Sequence, residues 1–204
     1  MITIVDFNMG NLGSIRNMFK KIGCDSQITA SPDLIAAADK LVLPGVGAFD
    51  AGMQNLERTG LIELLTRRAV QDRVPVLGIC LGMQLMTRRS EEGQRQGLGW
   101  VDAEVVRFTP ADPALKVPHM GWNRVMATRA CPLLEELPPD PRFYFVHSYF
   151  VRCSDPTDVL LTTAYGLEFH SGFQHGSVFG VQFHPEKSHK FGMALLRNFA
   201  TRVR

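Results

Sequence analysis

Cysteine is scarce and scattered in this chain: the four residues at 24, 80, 131 and 153 form no CxxC pair. Neither a disulfide framework nor a zinc ribbon is indicated. Long apolar runs are also missing. Nothing approaches the roughly 20 residues of a membrane span, and the N-terminus enters a strand at Ile2 without a charged leader and apolar stretch. This reads as a cytoplasmic protein with no membrane partner. Excess charge is lacking too, at a formal net +2, and the pairs Arg67-Arg68 and Arg88-Arg89 fall on helical segments where a solvated face explains them. No nucleic-acid partner is implied. There is no internal repeat, low-complexity tract or linker-like segment, so a single domain over residues 1–204 is expected. With 45% hydrophobic and 21% charged residues, that domain can bury a core without metals or disulfides.

The N-terminal half alternates strand and helix signals, which predicts a parallel sheet covered by helices. Ile2 to Asp6 reads as a strand, and Ser14 as the cap of a helix whose Ile15, Met18, Phe19 and Ile22 share one face before Gly23 stops it. Ser26 to Thr29 is a second strand, Ser31-Pro32 opens a helix, and Lys40 to Leu43 is a third strand. Helices are expected from Asp50 to Glu57 and from Leu61 to Gln71, then a strand from Val74 to Ile79 and a helix from Leu81 to about Thr87. Beyond Ser90 the texture changes. Short runs at Ala103 to Phe108, Asn123 to Met126, Phe143 to Val151, Val159 to Ala164, Glu168 to Phe173 and Val178 to Phe183 suggest an antiparallel or mixed extension of the same sheet. Asp112 to Gly121 reads as a long loop, and His189 to Val203 as an amphipathic helix with Phe191, Leu195, Leu196 and Phe199 inward.

The chemistry centres on Gly78-Ile79-Cys80-Leu81-Gly82. A GxCxG pattern over a strand-to-helix junction forces the central residue into a tight, strained backbone and stands its side chain above the sheet. Gly78 and Gly82 let the helix start close to the strand, and the sulfur of Cys80 meets the helix N-terminus, where amide dipoles favour the anion. A thiol nucleophile needs a base, and the base needs an orienting group. Val181-Gln182-Phe183-His184-Pro185-Glu186 supplies both: Pro185 holds His184 extended, so His184 and Glu186 can point to one side. Gly45-Val46-Gly47, after the third strand, can offer the Val46 or Gly47 N–H beside that of Leu81 to an oxyanion. The bland alternatives are an inert buried cysteine, a solvated strand-end histidine and an ordinary glycine turn. HxE could also belong to a metal site, although His119, His147, His170, His175 and His189 show no spacing that completes one.

Together with GNLGS at 10–14, PGVGAF at 44–49, GLGW at 97–100, PHMGWN at 118–123, FVHSYF at 145–150 and HPEKS at 184–188, these pieces resemble the class I, triad-type glutamine amidotransferases. Within them the chain is similar to the glutaminase subunits of imidazole glycerol phosphate synthase, through PHMGWN and HPEKS. The resemblance runs from Ile2 to the final helix. It implies an open, mostly parallel α/β sheet and a cofactor-free glutaminase. Cys80 would attack glutamine, His184 would protonate the departing ammonia, and Glu186 would orient His184. Leu81 with Val46 and Gly47 would serve the oxyanion, and Gly47, Gln84, Ser148 and Tyr149 would hold the substrate.

Only 18 residues follow Glu186, and they read as one helix, so the ammonia needs an outside acceptor. The resemblance names it as a (β/α)8-barrel cyclase of histidine biosynthesis. Met120, Trp122 and Asn123, with Lys187 beside Glu186, are the candidates for the docking face; core packing is the bland reading of Trp122, but a Gly-Trp-Asn turn in a loop exposes aromatic surface more readily than it buries it. Gly45 and Gly47 would also permit a peptide flip that withholds the oxyanion N–H until the partner is loaded. Asn8, Phe150 and His189 depart from the family's usual residues, and none belongs to the triad. A standalone hydrolase of γ-glutamyl compounds and a non-catalytic binding subunit are the competing readings.

Overall fold

The computed structural model describes residues 1–204. Strands β1 (Ile2–Val5), β2 (Ser26–Thr29), β3 (Lys40–Leu43) and β4 (Val76–Ile79) alternate with helices α1 (Leu12–Lys21), α2 (Pro32–Ala36), α3 (Phe49–Thr59) and α4 (Ile62–Thr66), and α5 (Leu81–Leu85) follows β4. The second half contains β5 (Arg89–Ser90), β6 (Ala103–Arg107), β7 (His119–Arg124), β8 (Met126–Ala127), β9 (Arg142–His147), β10 (Tyr149–Cys153), β11 (Val159–Ala164), β12 (Glu168–His175) and β13 (Val178–Val181), closed by α6 (His189–Thr201).

The main sheet runs β2-β1-β3-β4-β13-β12-β10-β6-β5, with β11 and β8 attached beside β12. β2, β1, β3, β4 and β13 are parallel neighbours, whereas β12, β10, β6 and β11 pair antiparallel. The expected mixed extension is therefore present. β7 and β9 depart from it by forming a separate two-stranded ribbon.

Period-two burial divides the sheet's side chains between two cores. Leu41, Leu43 and Val76 face a layer with Phe49, Met53, Leu56 and Leu65 of α3 and α4. Ile4, Val42, Leu77 and Ile79 face Ile15, Phe19, Leu195, Leu196 and Phe199 of α1 and α6. Phe191 packs against the same core from its margin, half-buried beside Phe143. No helix is long and apolar enough to cross a membrane.

Several boundaries correct the sequence reading. α1 begins two residues before Ser14, because the Asn11 side chain is the cap and accepts the Ser14 N–H at 3.4 Å. The helix expected over 61–71 changes at Arg67 into a π turn reaching Gln71. The run 143–151 is broken at Ser148 into β9 and β10. The expected loop ends at His119, where β7 begins, so Trp122 lies in a strand rather than a turn. Glycine and proline density favoured a loop there, but pairing of 119–124 with 142–147 decided the conformation.

Candidate active site

The carboxyl ends of β1, β3, β4 and β13 lie on one edge, as parallel pairing requires, and that edge is where such sheets gather ligand-binding groups. Ile79 pairs with Val181, so Cys80 and Gln182 leave adjacent strands side by side. The Cys80 N–H donates to the Val181 carbonyl at 2.8 Å. Cys80 has φ 53° and ψ −109°, a strained conformation for a side-chain-bearing residue. It is held there by crowding. A Cβ on Gly82 would stand 1.8 Å from the Leu43 carbonyl oxygen, so only glycine lets α5 start this close to β3. Leu81 is the first residue of α5, and its N–H is one of those a helix cannot satisfy internally.

His184 sits three residues beyond β13. Its N–H donates to the Tyr144 carbonyl at 2.9 Å, tying it to β9. Ser188 fixes it further, donating its hydroxyl to the His184 carbonyl at 2.6 Å while accepting the Tyr144 N–H at 3.0 Å. His184 Nδ1 lies 2.8 Å from Glu186 Oε1, and both side chains are 2% exposed. The two meet because Pro185 opens a single 3-10 turn, rather than through the strand alternation expected from the sequence. His184 Nε2 and Glu186 Oε2 are buried without hydrogen-bond partners in the chain. Burial works against a charged ring, but the nearby Cys80 sulfur and the Glu186 carboxylate bonded to Nδ1 outweigh it and push the His184 pKa up to about 9. Both neighbours favour the protonated ring.

A cavity of about 320 Å³ opens over the sulfur, lined by Val46, Gly47, Cys80, Leu81, Gln84, Glu92, His147, Ser148, Tyr149 and His184 among others. It unites every candidate catalytic, oxyanion and substrate residue except Glu186, which stands behind His184. Gly47 has φ +109°, which an L side chain rarely adopts, so the Val46-Gly47 peptide needs glycine for its orientation. Gln84 Nε2 donates to the Tyr149 carbonyl at 3.2 Å and to Gln182 Oε1 at 3.1 Å, which leaves its own Oε1 as the acceptor it can offer a ligand.

The sequence reading missed three residues here. Glu92 brings a carboxylate to the rim of the cavity and accepts the Phe49 N–H at 2.9 Å. Ser188 braces the histidine, and Gln182 contacts the sulfur. Only the last two stand inside a recognisable motif. A roomier depression of about 400 Å³ elsewhere is lined by Arg89, Glu104 and Arg152, whose charges already pair with one another.

The four expected docking residues divide. Met120 and Trp122 are exposed on β7, and Trp122 stacks on His189 at 5.5 Å. Lys187 lies over the Tyr144 ring at 5.6 Å on the neighbouring strand. Asn123 alternates to the other face, donating to the Ala164 carbonyl at 2.9 Å and reaching His119 Nε2 at 3.3 Å. It is thus separated from the exposed group by strand periodicity.

The sequence pattern of the family described as Glutamine amidotransferase class-I matches residues 3–203. The chain is 53% identical over 199 residues to imidazole glycerol phosphate synthase subunit HisH 2 of Methanococcus maripaludis, covering 98% of each chain. It is 49% identical to subunit HisH 2 of Pseudomonas aeruginosa, covering 100% of both, and 45% identical to subunit HisH of Bdellovibrio bacteriovorus, covering 98% and 99%. Among solved structures, PurLQS from Thermotoga maritima superposes with TM-score 0.75 at 15% identity, over 100% of this chain and 98% of that one. A glutamine amidotransferase superposes with TM-score 0.74 at 17% identity, over 98% and 97%. At those identities the likeness is one of fold.

Proposed function

The chain belongs to the class I glutamine amidotransferases, and from that premise we propose that residues 1–204 act as one domain, the glutaminase subunit of an imidazole glycerol phosphate synthase. It hydrolyses glutamine to glutamate and ammonia and passes the ammonia to a cyclase partner in histidine biosynthesis. The observation that carries this reading is the placement of Cys80 beside the buried His184–Glu186 pair at the ends of adjacent parallel strands.

The Cys80 thiolate attacks the side-chain carbonyl carbon of glutamine, and the oxyanion collects N–H donors from Leu81 and the Val46-Gly47 peptide. The C–N bond then breaks, and the His184 imidazolium gives its proton to the departing ammonia. Water attacks the thioester and leaves its proton on the neutral His184. The C–S bond breaks, glutamate departs, and thiolate and imidazolium are restored. Glu186 orients the ring and offsets its charge throughout.

Gly47, Gln84, Ser148 and Tyr149 line the pocket that holds the substrate, and the Glu92 carboxylate at the rim suits its α-ammonium group. Met120, Trp122 and Lys187 form the docking face, with the apolar anchor and adjacent cation typical of an interface centre. The partner is a (β/α)8-barrel cyclase, and the catalytic cycle needs no cofactor or metal. Intact triad chemistry disfavours a non-catalytic subunit, and the docking face disfavours a standalone γ-glutamyl hydrolase. Ammonia release assayed with and without the partner decides among the three.

A further inference from the structure

Gln182 is fully buried beside the nucleophile, and the reaction as described gives it no task. Its Nε2 lies 3.7 Å from Cys80 Sγ, within the range of an N–H to sulfur hydrogen bond, and has no other partner. The orientation of this amide follows from its neighbours. The Tyr149 carbonyl can only accept, so the group of Gln84 that faces it at 3.2 Å must be the NH2. The second hydrogen of that NH2 points at Gln182, 3.1 Å away, which must present its oxygen in return. The NH2 of Gln182 is left facing the sulfur. Reversing Gln182 would set two NH2 groups against each other in a buried site.

The same carbonyl is held from its other side. His147 Nδ1 lies 2.8 Å from it and must donate, so His147 Nε2 accepts from His119 Nδ1 at 3.0 Å. His119 Nε2 then accepts from Asn123, whose other amide hydrogen goes to the Ala164 carbonyl. Two runs of donors thus meet at the Tyr149 carbonyl: Asn123, His119 and His147 donate toward it, while Gln84 donates to it with one hydrogen and to Gln182 with the other, and Gln182 donates to Cys80. Phe108, Phe145 and Phe169 pack around both histidine rings, which are buried.

We propose that Gln182 is a further catalytic residue: its side-chain N–H, aimed by Gln84, hydrogen-bonds the Cys80 sulfur in the anionic state that attacks glutamine and is released with glutamate. A neutral amide suits this place. It offers a proton that it never surrenders, so it stabilises the anion without competing with His184 for proton transfer. Strand register makes the contact possible, since Cys80 and Gln182 are the residues that follow the paired Ile79 and Val181.

The proposal rests on the glutaminase reading for its turnover arm only. The test compares wild type, Gln182→Met and Gln182→Glu, with Cys80→Ala as the blank. Iodoacetamide labelling of Cys80 is followed by mass spectrometry on the chain, glutaminase kcat and KM are measured with the cyclase partner present, and folding is checked by thermal melting. Gln182→Met keeps the volume and removes the donor. Losing a charge-assisted hydrogen bond raises the energy of the anion, so in Gln182→Met the pH midpoint of Cys80 labelling and of the acidic limb of turnover should rise by about one pH unit, a loss of roughly tenfold at a pH below that midpoint, with KM inside about twofold.

Gln182→Glu keeps an acceptor for Gln84 but sets an ionisable oxygen against the sulfur. Its turnover relative to wild type should fall as pH rises from about 6 to about 9 and the carboxyl ionises. Folded variants that label and turn over within twofold of wild type would overturn the proposal, as would a loss confined to KM. If Gln182→Met fails to fold, the pH dependence of Gln182→Glu decides alone. Absence of any glutaminase activity in the wild-type complex would instead sink the functional reading and leave the labelling contrast to judge Gln182.

Discussion

The His184 ring and the Cys80 sulfur face one cavity because β13 lies parallel to β4 with Val181 opposite Ile79. Each strand ends there and delivers its motif to the same edge, one as a strained elbow and the other as a proline-held turn braced by Ser188. The first consequence is a pH limit set by the histidine. Its folded pKa is raised to about 9 by Cys80 and Glu186 against the effect of burial, so kcat/KM should fall as pH rises through about 9 and the ammonia loses its acid. Glu186→Gln removes one of the raising groups and should move that limb to lower pH while lowering kcat on the order of 10²-fold. A pH–rate profile of both proteins checks the shift. An unmoved limb would remove Glu186 from its assigned role.

Glu92→Gln retains an acceptor for the Phe49 N–H and loses only the charge. If the carboxylate meets the substrate's ammonium, KM for glutamine should rise roughly tenfold or more, with kcat changed much less. Steady-state kinetics separates the two, and an unaltered KM would place the ammonium elsewhere.

Gly82→Ala should be among the most damaging single substitutions in the chain. Its Cβ would fall 1.8 Å from the Leu43 carbonyl oxygen, which is backbone at the centre of the sheet and cannot swing aside. A stability loss of several kcal/mol, or a displaced elbow without activity, is expected from denaturant titration and assay. Gly23→Ala is the control for steric crowding: a Cβ there meets nothing, although φ +74° retains some strain.

The paired histidines predict acid sensitivity. Burial lowers His119 to about 4 and His147 to about 3, the latter against the pull of the Tyr149 carbonyl. Unfolded histidine binds protons from about pH 6.5 downward, whereas these two resist doing so when folded. The unfolded state therefore takes up more protons, and stability should fall as pH drops from about 6.5 toward 4. The His119→Gln/His147→Gln double variant should show a flatter dependence of urea midpoint on pH, whatever its stability at neutrality. His184 contributes with the opposite sign: its raised value adds stability that is full below about 6.5 and is lost as pH rises through about 9.

Much of this site was legible because its motifs are local. The elbow, the HPE turn and the Gly45-Val46-Gly47 loop each carry their own steric logic, and the bounds of β2, β3 and β11 follow from alternation and flanking turn residues. What escaped depends on register and on chain segments far apart. Gln182 becomes interesting only once Val181 is known to lie opposite Ile79, and Glu92 only once its loop reaches back to Phe49. Asn123 was grouped with Met120 and Trp122 by proximity in sequence, whereas the pairing of β7 with β9 turns it to the other face. Asn11 displaced Ser14 as the helix cap because both residue types can cap and only backbone geometry chooses between them.

The most direct measurement is ammonia release from glutamine by the chain alone and with its cyclase partner carrying the ribonucleotide substrate, with Cys80→Ala run in parallel. Little turnover is expected from the chain alone, strong turnover with the loaded partner and none in the variant, in keeping with a Val46-Gly47 peptide that presents its N–H only in the complex. Vigorous hydrolysis by the isolated chain, or full activity without the Cys80 sulfur, would contradict that expectation.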